Sequence, residues 1–279
     1  MFDRFTRSFD LVRASARVLR QDNRLVLFPV ISAVAMLLVV AAFLLPVFGF
    51  DALDGLDRNK PMVYSVAFLF YVVQYFVIFY FNTALVGAVM IRLDGGTPTL
   101  AGGLRIANGR LPAILGFAVI SATVGVVLRA IQERVGFIGR LIVGFIGAGW
   151  TVATYLVVPV IVARDRGAVA AISDSADLLK RTWGENVVGQ GGLGLAFGLL
   201  YFALFGAMGL FGALYLPSMG PAALIAAAVL FVLAFLGLVL IHSTLTGIYS
   251  AVLYRFAADG NGAPGFDNGA LAAAFRSKD

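Results

Sequence analysis

Across 279 residues, 61% are hydrophobic and only 13% are charged, with a net charge of +6 and no cysteine; soluble domains run at roughly 45–50% and 25%. This balance excludes a disordered chain, a fibre and an ordinary soluble enzyme. The missing cysteines exclude disulfides, iron–sulfur clusters, thiolate zinc and cysteine nucleophiles, and the single histidine, His242, excludes a His-rich metal site.

The chain opens on an amphipathic pattern. Phe2, Phe5, Phe9, Val12, Ala16 and Leu19 keep the three-four spacing of one helical face, and Arg13, Arg17, Arg20 and Arg24 line an adjacent stripe. Aromatic residues beside arginines suit a helix lying in the membrane interface, with phenylalanine entering the acyl boundary and arginine meeting phosphate. These four arginines are the expected contacts for anionic lipid headgroups. An uncharged run, Leu25–Phe50, follows; it is too long for a secretory core of about 7–15 residues and reads as a retained span. Asp51, Asp54 and Asp57 then fall in a short connection read as a solvated loop rather than a cation site.

The second run, Pro61–Ile91, exceeds the roughly 20 residues a crossing needs, so tilt or extension beyond the bilayer is expected. A second amphipathic helix is predicted from Thr97-Pro98, with Leu100, Leu104, Ala107 and Leu111 on its apolar side and Gly102 and Gly103 weakening it. Span three covers Leu111–Leu128. Arg129 and Arg140 flank the short link to span four, Phe137–Ala163, and Arg129–Glu133 forms an i,i+4 pair. A third amphipathic helix, Ala168–Trp183, carries Val169, Ile172, Ala176, Leu179 and Trp183 at helical spacing, with Asp177 and Arg181 as an i,i+4 pair. Spans five and six cover Gln190–Leu216 and Pro221–Tyr254.

The expected fold is therefore an all-α polytopic membrane protein: six transmembrane helices arranged as three hairpins, each preceded by an interfacial amphipathic helix. Residues 1–254 form one transmembrane domain of three repeat-like units (1–91, 92–163 and 164–254), and residues 255–279 form a cytoplasmic tail. Six crossings place both ends on one side. That side carries 16 of the 21 Lys and Arg residues, which makes it cytoplasmic by the positive-inside rule.

Polar residues inside the spans are few, and they need partners in hydrocarbon. Gln74, Asn82 and His242 are the candidates for a polar path; hydrogen bonding between helices is the preferred reading for these and for Ser121, Thr123, Thr151, Thr154, Ser243, Thr244, Thr246 and Ser250. Gly194, Gly198 and Gly206, with the Gly144/Ala148 pair, suggest close helix packing. No acidic or basic residue sits near the middle of a span, which argues against an ion-coupled carrier. Nor is there a catalytic constellation, a metal-ligand cluster or a phosphate loop.

Several ordered pieces carry a resemblance. They are Leu93-Asp94-Gly95-Gly96-Thr97-Pro98-Thr99, Arg110-Leu111-Pro112, Ala122-Thr123-Val124-Gly125, Val157-Val158-Pro159-Val160-Ile161, Thr182-Trp183-Gly184-Glu185 and Leu253-Tyr254-Arg255-Phe256-Ala257, preceded by the Phe2-to-Arg20 helix leading through Leu25–Pro29. Together these resemble an uncharacterised family of bacterial six-span membrane proteins known only as a domain of unknown function. In architecture alone the chain resembles the membrane domain attached to some glycerophosphodiester phosphodiesterases, without their catalytic domain. The resemblance implies a bacterial inner-membrane location and no activity. The expected function is non-enzymatic, lipid handling or membrane scaffolding, with a passive permease or channel for a small solute as the alternative. The expected partners are membrane phospholipids, anionic headgroups at the cytoplasmic face and a membrane protein. No cofactor, metal or nucleic acid is expected.

Overall fold

A computed structural model describes residues 15–49, 60–183, 191–215 and 219–259. Among them there is no strand. Residues 15–21 form a helix, α1, and a 3-10 turn, Asn23–Val26, leads into α2, Leu27–Gly49. Then come α3 (Lys60–Leu93), α4 (Leu100–Gly109), α5 (Leu111–Arg134), α6 (Phe137–Ala153), α7 (Val157–Arg164), α8 (Ala168–Trp183), α9 (Gly191–Tyr215) and α10 (Pro221–Asp259). Six helical stretches are long and apolar enough to cross a bilayer: Asn23–Leu45, Pro61–Leu93, Leu111–Arg134, Phe137–Arg164, Ala196–Tyr215 and Pro221–Ala258. The chain is a multi-pass, all-α membrane protein.

The amphipathic helices occur before each hairpin, with adjustments. Of the first, the positions before residue 15, Arg13 among them, lie outside the described residues, as do Asp51, Asp54 and Asp57 and the tail beyond Asp259. The second starts later than the Thr97-Pro98 pattern suggests. Thr99 is the N-cap, and its hydroxyl accepts from the Gly102 N–H at 3.0 Å, leaving Pro98 upstream of the cap. The turn before it is a helix stop, in which Gly95 takes φ +84° and the Gly96 N–H bonds the Ile91 carbonyl at 2.9 Å. Gly103 has a packing reason. A Cβ there would lie 2.5 Å from the Ala84 carbonyl oxygen and 2.6 Å from the Phe28 ring, so only glycine lets α4 rest against α3. The third, α8, occupies Ala168–Trp183 as its periodicity predicts; the Arg181 and Trp183 side chains lie outside the description.

The fourth crossing is not one helix. Pro159 has no N–H to give the Tyr155 carbonyl and its ring crowds that oxygen, and the crossing breaks at residues 154–156 into α6 and α7. The freed groups are met from outside. Ser175 of α8, fully buried, donates its hydroxyl to the Ala153 carbonyl at 2.7 Å and accepts from the Leu156 N–H at 3.1 Å. Such repair is what hydrocarbon demands of a broken helix.

The core is confined to one end. Residues 83–89 of α3 and, except for the half-buried Thr246, 244–254 of α10 are buried, together with Leu25, Phe28, Ile114, Phe117 and residues 156–162. Toward the other end the same helices expose Val66, Leu69, Phe145, Ile225 and Leu233. The second span is the hub, touching α2, α4, α5, α7 and α10, whereas α9 packs chiefly on α10.

The packed end is also the arginine-rich end. Arg92 donates to Gln21 at 3.2 Å, Arg255 pairs with Asp94 at 2.7 Å, and Arg110 pairs with Asp165. Arg164 reaches the Tyr254 hydroxyl at 3.1 Å and Asp174 at 3.3 Å. These contacts gather the start of α2 and the ends of α3, α7 and α10 on a single basic face, as an even number of crossings requires. At the opposite face Arg129 pairs with Glu133 at 3.3 Å and donates to the Tyr71 hydroxyl at 3.2 Å. The third span accordingly continues as helix to Arg134, past the end of its uncharged run.

Candidate functional site

A groove of about 490 Å³ opens between the first, second and sixth spans beside the break in the fourth. Its walls follow helical periodicity. From α3 come Ile78, Phe81, Asn82 and Leu85; from α10 come Val239, Ser243, Thr246 and Ser250, with His242 and Gly247 beside them. Pro29, Ser32, Ala33 and Met36 of α2 close one side, and Tyr155 and Val158 close another. Gly247 sets the floor: a Cβ there would lie 2.5 Å from Leu85 and 3.5 Å from the Asn82 carboxamide oxygen, so its absence lets α10 approach α3.

The groove reaches only part of the way across. Val239 to Ser250 covers about 17 Å at 1.5 Å per residue, while the hydrocarbon core is about 30 Å thick. Arg255 and Arg92 mark the basic face, and the groove starts about 8 Å from Arg255 and ends about 24 Å from it, short of the opposite face. Its rim is exposed at Ala33, Ile78, Val239 and Ser243, so it faces the hydrocarbon sideways.

Of the three residues expected to form a polar path, Asn82 and His242 share this groove and Gln74 does not. Gln74 lies eight residues before Asn82, about 12 Å farther from the basic face and 80° around the helix. His242 also faces the fifth span. Its ring stacks on Phe197 with centroids 4.3 Å apart, and its Nδ1 lies 3.2 Å from the Tyr201 hydroxyl.

The remaining polar residues correct the expectation of bonding between helices. Thr123, Thr151, Thr154 and Thr244 each donate to the carbonyl four residues back, and Ser250 to the carbonyl three back, within their own helices. Ser121 is buried with no partner among the described residues. The glycine rows differ from expectation too. A Cβ at Gly144, Gly194, Gly198 or Gly206 would meet nothing within 4 Å; close approach between helices falls instead at Gly87, Gly103, Gly116 and Gly247, where the neighbour is Ile106, Ala84, Ala168 or Leu85.

Of the arginine stripe, Arg17, Arg20 and Arg24 are exposed while Val18, Leu25 and Phe28 are buried. The apolar face of this segment therefore packs on the protein's own spans, and its described arginines are exposed at the basic face beside the start of α2. Among the described residues no group of three acidic or histidine side chains could hold a metal ion.

Residues 61–266, from the second span past the end of α10, match a family of unknown function, DUF6159, and the chain belongs to that family. No curated protein and no solved structure matches it.

Proposed function

We propose that this DUF6159 protein is a non-enzymatic lipid-handling protein of the bacterial inner membrane, with its basic face and both termini in the cytoplasm. The observation that carries the reading is the groove. It is open sideways to hydrocarbon, apolar along most of its walls, and it starts near the basic face and stops short of the opposite one. A solute path has to run from one aqueous side to the other, and this groove ends about 24 Å from the basic face without reaching the opposite one, which favours lipid over the permease reading. Arg17, Arg20 and Arg24 stand where headgroup phosphates of an anionic leaflet would lie, each gaining about 1 kcal/mol there. A lipid entering from that leaflet would meet the arginines first and the groove second.

Feeding cells a photoreactive fatty acid, so that every lipid class carries the label, tests the reading without assuming which lipid binds. Ultraviolet crosslinks are expected in the α3 segment around Asn82 and the α10 segment around Thr246. Crosslinks spread evenly over exposed positions such as Phe145 and Leu233 would refute a lipid site. Orientation is read from single cysteines at Asp94 and Glu133 in this cysteine-free chain: only the former should react with a reagent confined to the cytoplasm.

A further inference from the structure

The chemistry of the groove narrows its occupant. None of its lining residues is Asp, Glu, Lys or Arg. Three cations near its mouth are engaged at the basic face: Arg255 with Asp94, Arg92 with Gln21, and Arg164 with Tyr254 and Asp174; Arg24, five residues before Pro29, stands at the mouth and does not line the groove. Placing a phosphate 15 Å deep with no counter-charge carries a penalty of several kcal/mol. A hydroxyl or ester needs only hydrogen-bond partners.

Those partners are present and unused. Asn82 is half-buried, about 15 Å from Arg92 along α3, and its carboxamide has no hydrogen-bond partner among the described residues. Ser243 and Thr246 of α10 likewise have none, although Thr244 and Ser250 on the same helix satisfy themselves on their own backbone. Gly247 brings these groups together by letting α10 seat against Leu85 beside Asn82. Acyl chains alone in the groove would leave a carboxamide and two hydroxyls against methylene groups, an arrangement that hydrocarbon penalises. An uncharged polar group of the occupant at this depth would meet the Asn82 carboxamide and both hydroxyls.

We infer that the groove binds a neutral lipid of the diacylglycerol class, its free hydroxyl and ester oxygens meeting Asn82, Ser243 and Thr246 while its chains lie along the apolar walls. This rests on the lipid-handling reading and deepens it. The arginines attract the anionic leaflet, and the uncharged groove selects from that leaflet the molecules lacking a charged head.

The test uses the full-length protein in phosphatidylcholine nanodiscs with a photoreactive diacylglycerol at low mole fraction. Expected are crosslinks in the α3 and α10 walls, displaced by unlabelled diacylglycerol and not by equal amounts of phosphatidylglycerol. Thr246→Val, which keeps the shape and removes the hydroxyl, should weaken labelling about fivefold, the effect of one lost hydrogen bond; Asn82→Leu should weaken it at least as much. If Asn82→Leu fails to fold, Thr246→Val decides. Displacement by phosphatidylglycerol as effective as by diacylglycerol, or labelling unchanged in Thr246→Val, overturns the assignment. These outcomes are separable from failure of the broader reading: a groove labelled by the fatty-acid probe but preferring phospholipid sinks only the neutral-lipid assignment, whereas a groove labelled by neither probe sinks both.

Discussion

Replacing Ser175 with alanine should destabilise the protein out of proportion to the one oxygen removed. That oxygen serves two backbone groups at the break in the fourth span, accepting from the Leu156 N–H at 3.1 Å and donating to the Ala153 carbonyl at 2.7 Å. Ser175 and Leu156 are both fully buried, so water does not replace it. Leaving a buried donor or acceptor unmet costs about 1–3 kcal/mol; two give about 2–4 kcal/mol once local relaxation is allowed for. Thr151→Ala is the control. Its hydroxyl bonds only the Gly147 carbonyl of its own helix at an exposed position, and that carbonyl keeps its helical partner, so the change should stay within about 0.5 kcal/mol. Chemical unfolding in mixed micelles reads both. Equal values for the two variants would refute the argument that α8 repairs the break. The consequence reaches beyond stability, because Tyr155 and Val158 flank that break and line the groove: lipid crosslinking to the groove should fall in Ser175→Ala even where the folded population is held constant.

Exchanging Arg17, Arg20 and Arg24 for glutamine should lower the preference for phosphatidylglycerol over phosphatidylcholine in retained-lipid measurements by about fivefold per arginine at low salt, fading at high salt. Gly103→Val should destabilise by about 1–3 kcal/mol or more through overpacking against Ala84 and Phe28, whereas Gly144→Ala, with open space at its Cβ, should be neutral or slightly stabilising in the same unfolding assay. Asp165 sits in the left-handed region at φ 48°, paired with Arg110 across the surface. Asp165→Ala should therefore destabilise about 1 kcal/mol more than Asp165→Gly, since both lose the weak exposed pair and only glycine fits the backbone.

Much of the architecture is visible in the string of residues because hydrocarbon tolerates so few exceptions. Uncharged runs located the six spans, with ends off by up to about six residues, and the three-four spacing of Val169, Ile172 and Leu179 located α8. The break in the fourth span escaped this reading even though Pro159 marks it; a mean hydropathy integrates over a proline without registering the lost hydrogen bond. The glycine rows misled for a related reason. Spacing along one helix says which residues share a face, but not whether another helix lies against it, and Gly194 and Gly198 face open space while the less regular Gly103 and Gly247 take the close contacts. The groove was half visible. Asn82 and His242 stood out as isolated polar residues, and the 243, 246, 250 spacing carried the rest of the pattern. Gln74, 80° away around α3, showed by the same geometry that it belonged to another face.

The concentration of buried side chains at 83–89, 156–162 and 244–254 has a mechanical consequence. One leaflet hosts nearly all of the interlocking interior, while the other surrounds long stretches of separate rods. The two halves should answer differently to their surroundings. Lateral pressure beside the headgroups of the first leaflet bears on the joint that holds the molecule together, whereas lengthening the chains of the second mainly retilts α10, whose 39 residues at about 1.5 Å each overreach the roughly 30 Å hydrocarbon core by more than twenty ångströms. Asymmetric vesicles, with chain length varied in one leaflet at a time, would turn that difference into a measurable directionality.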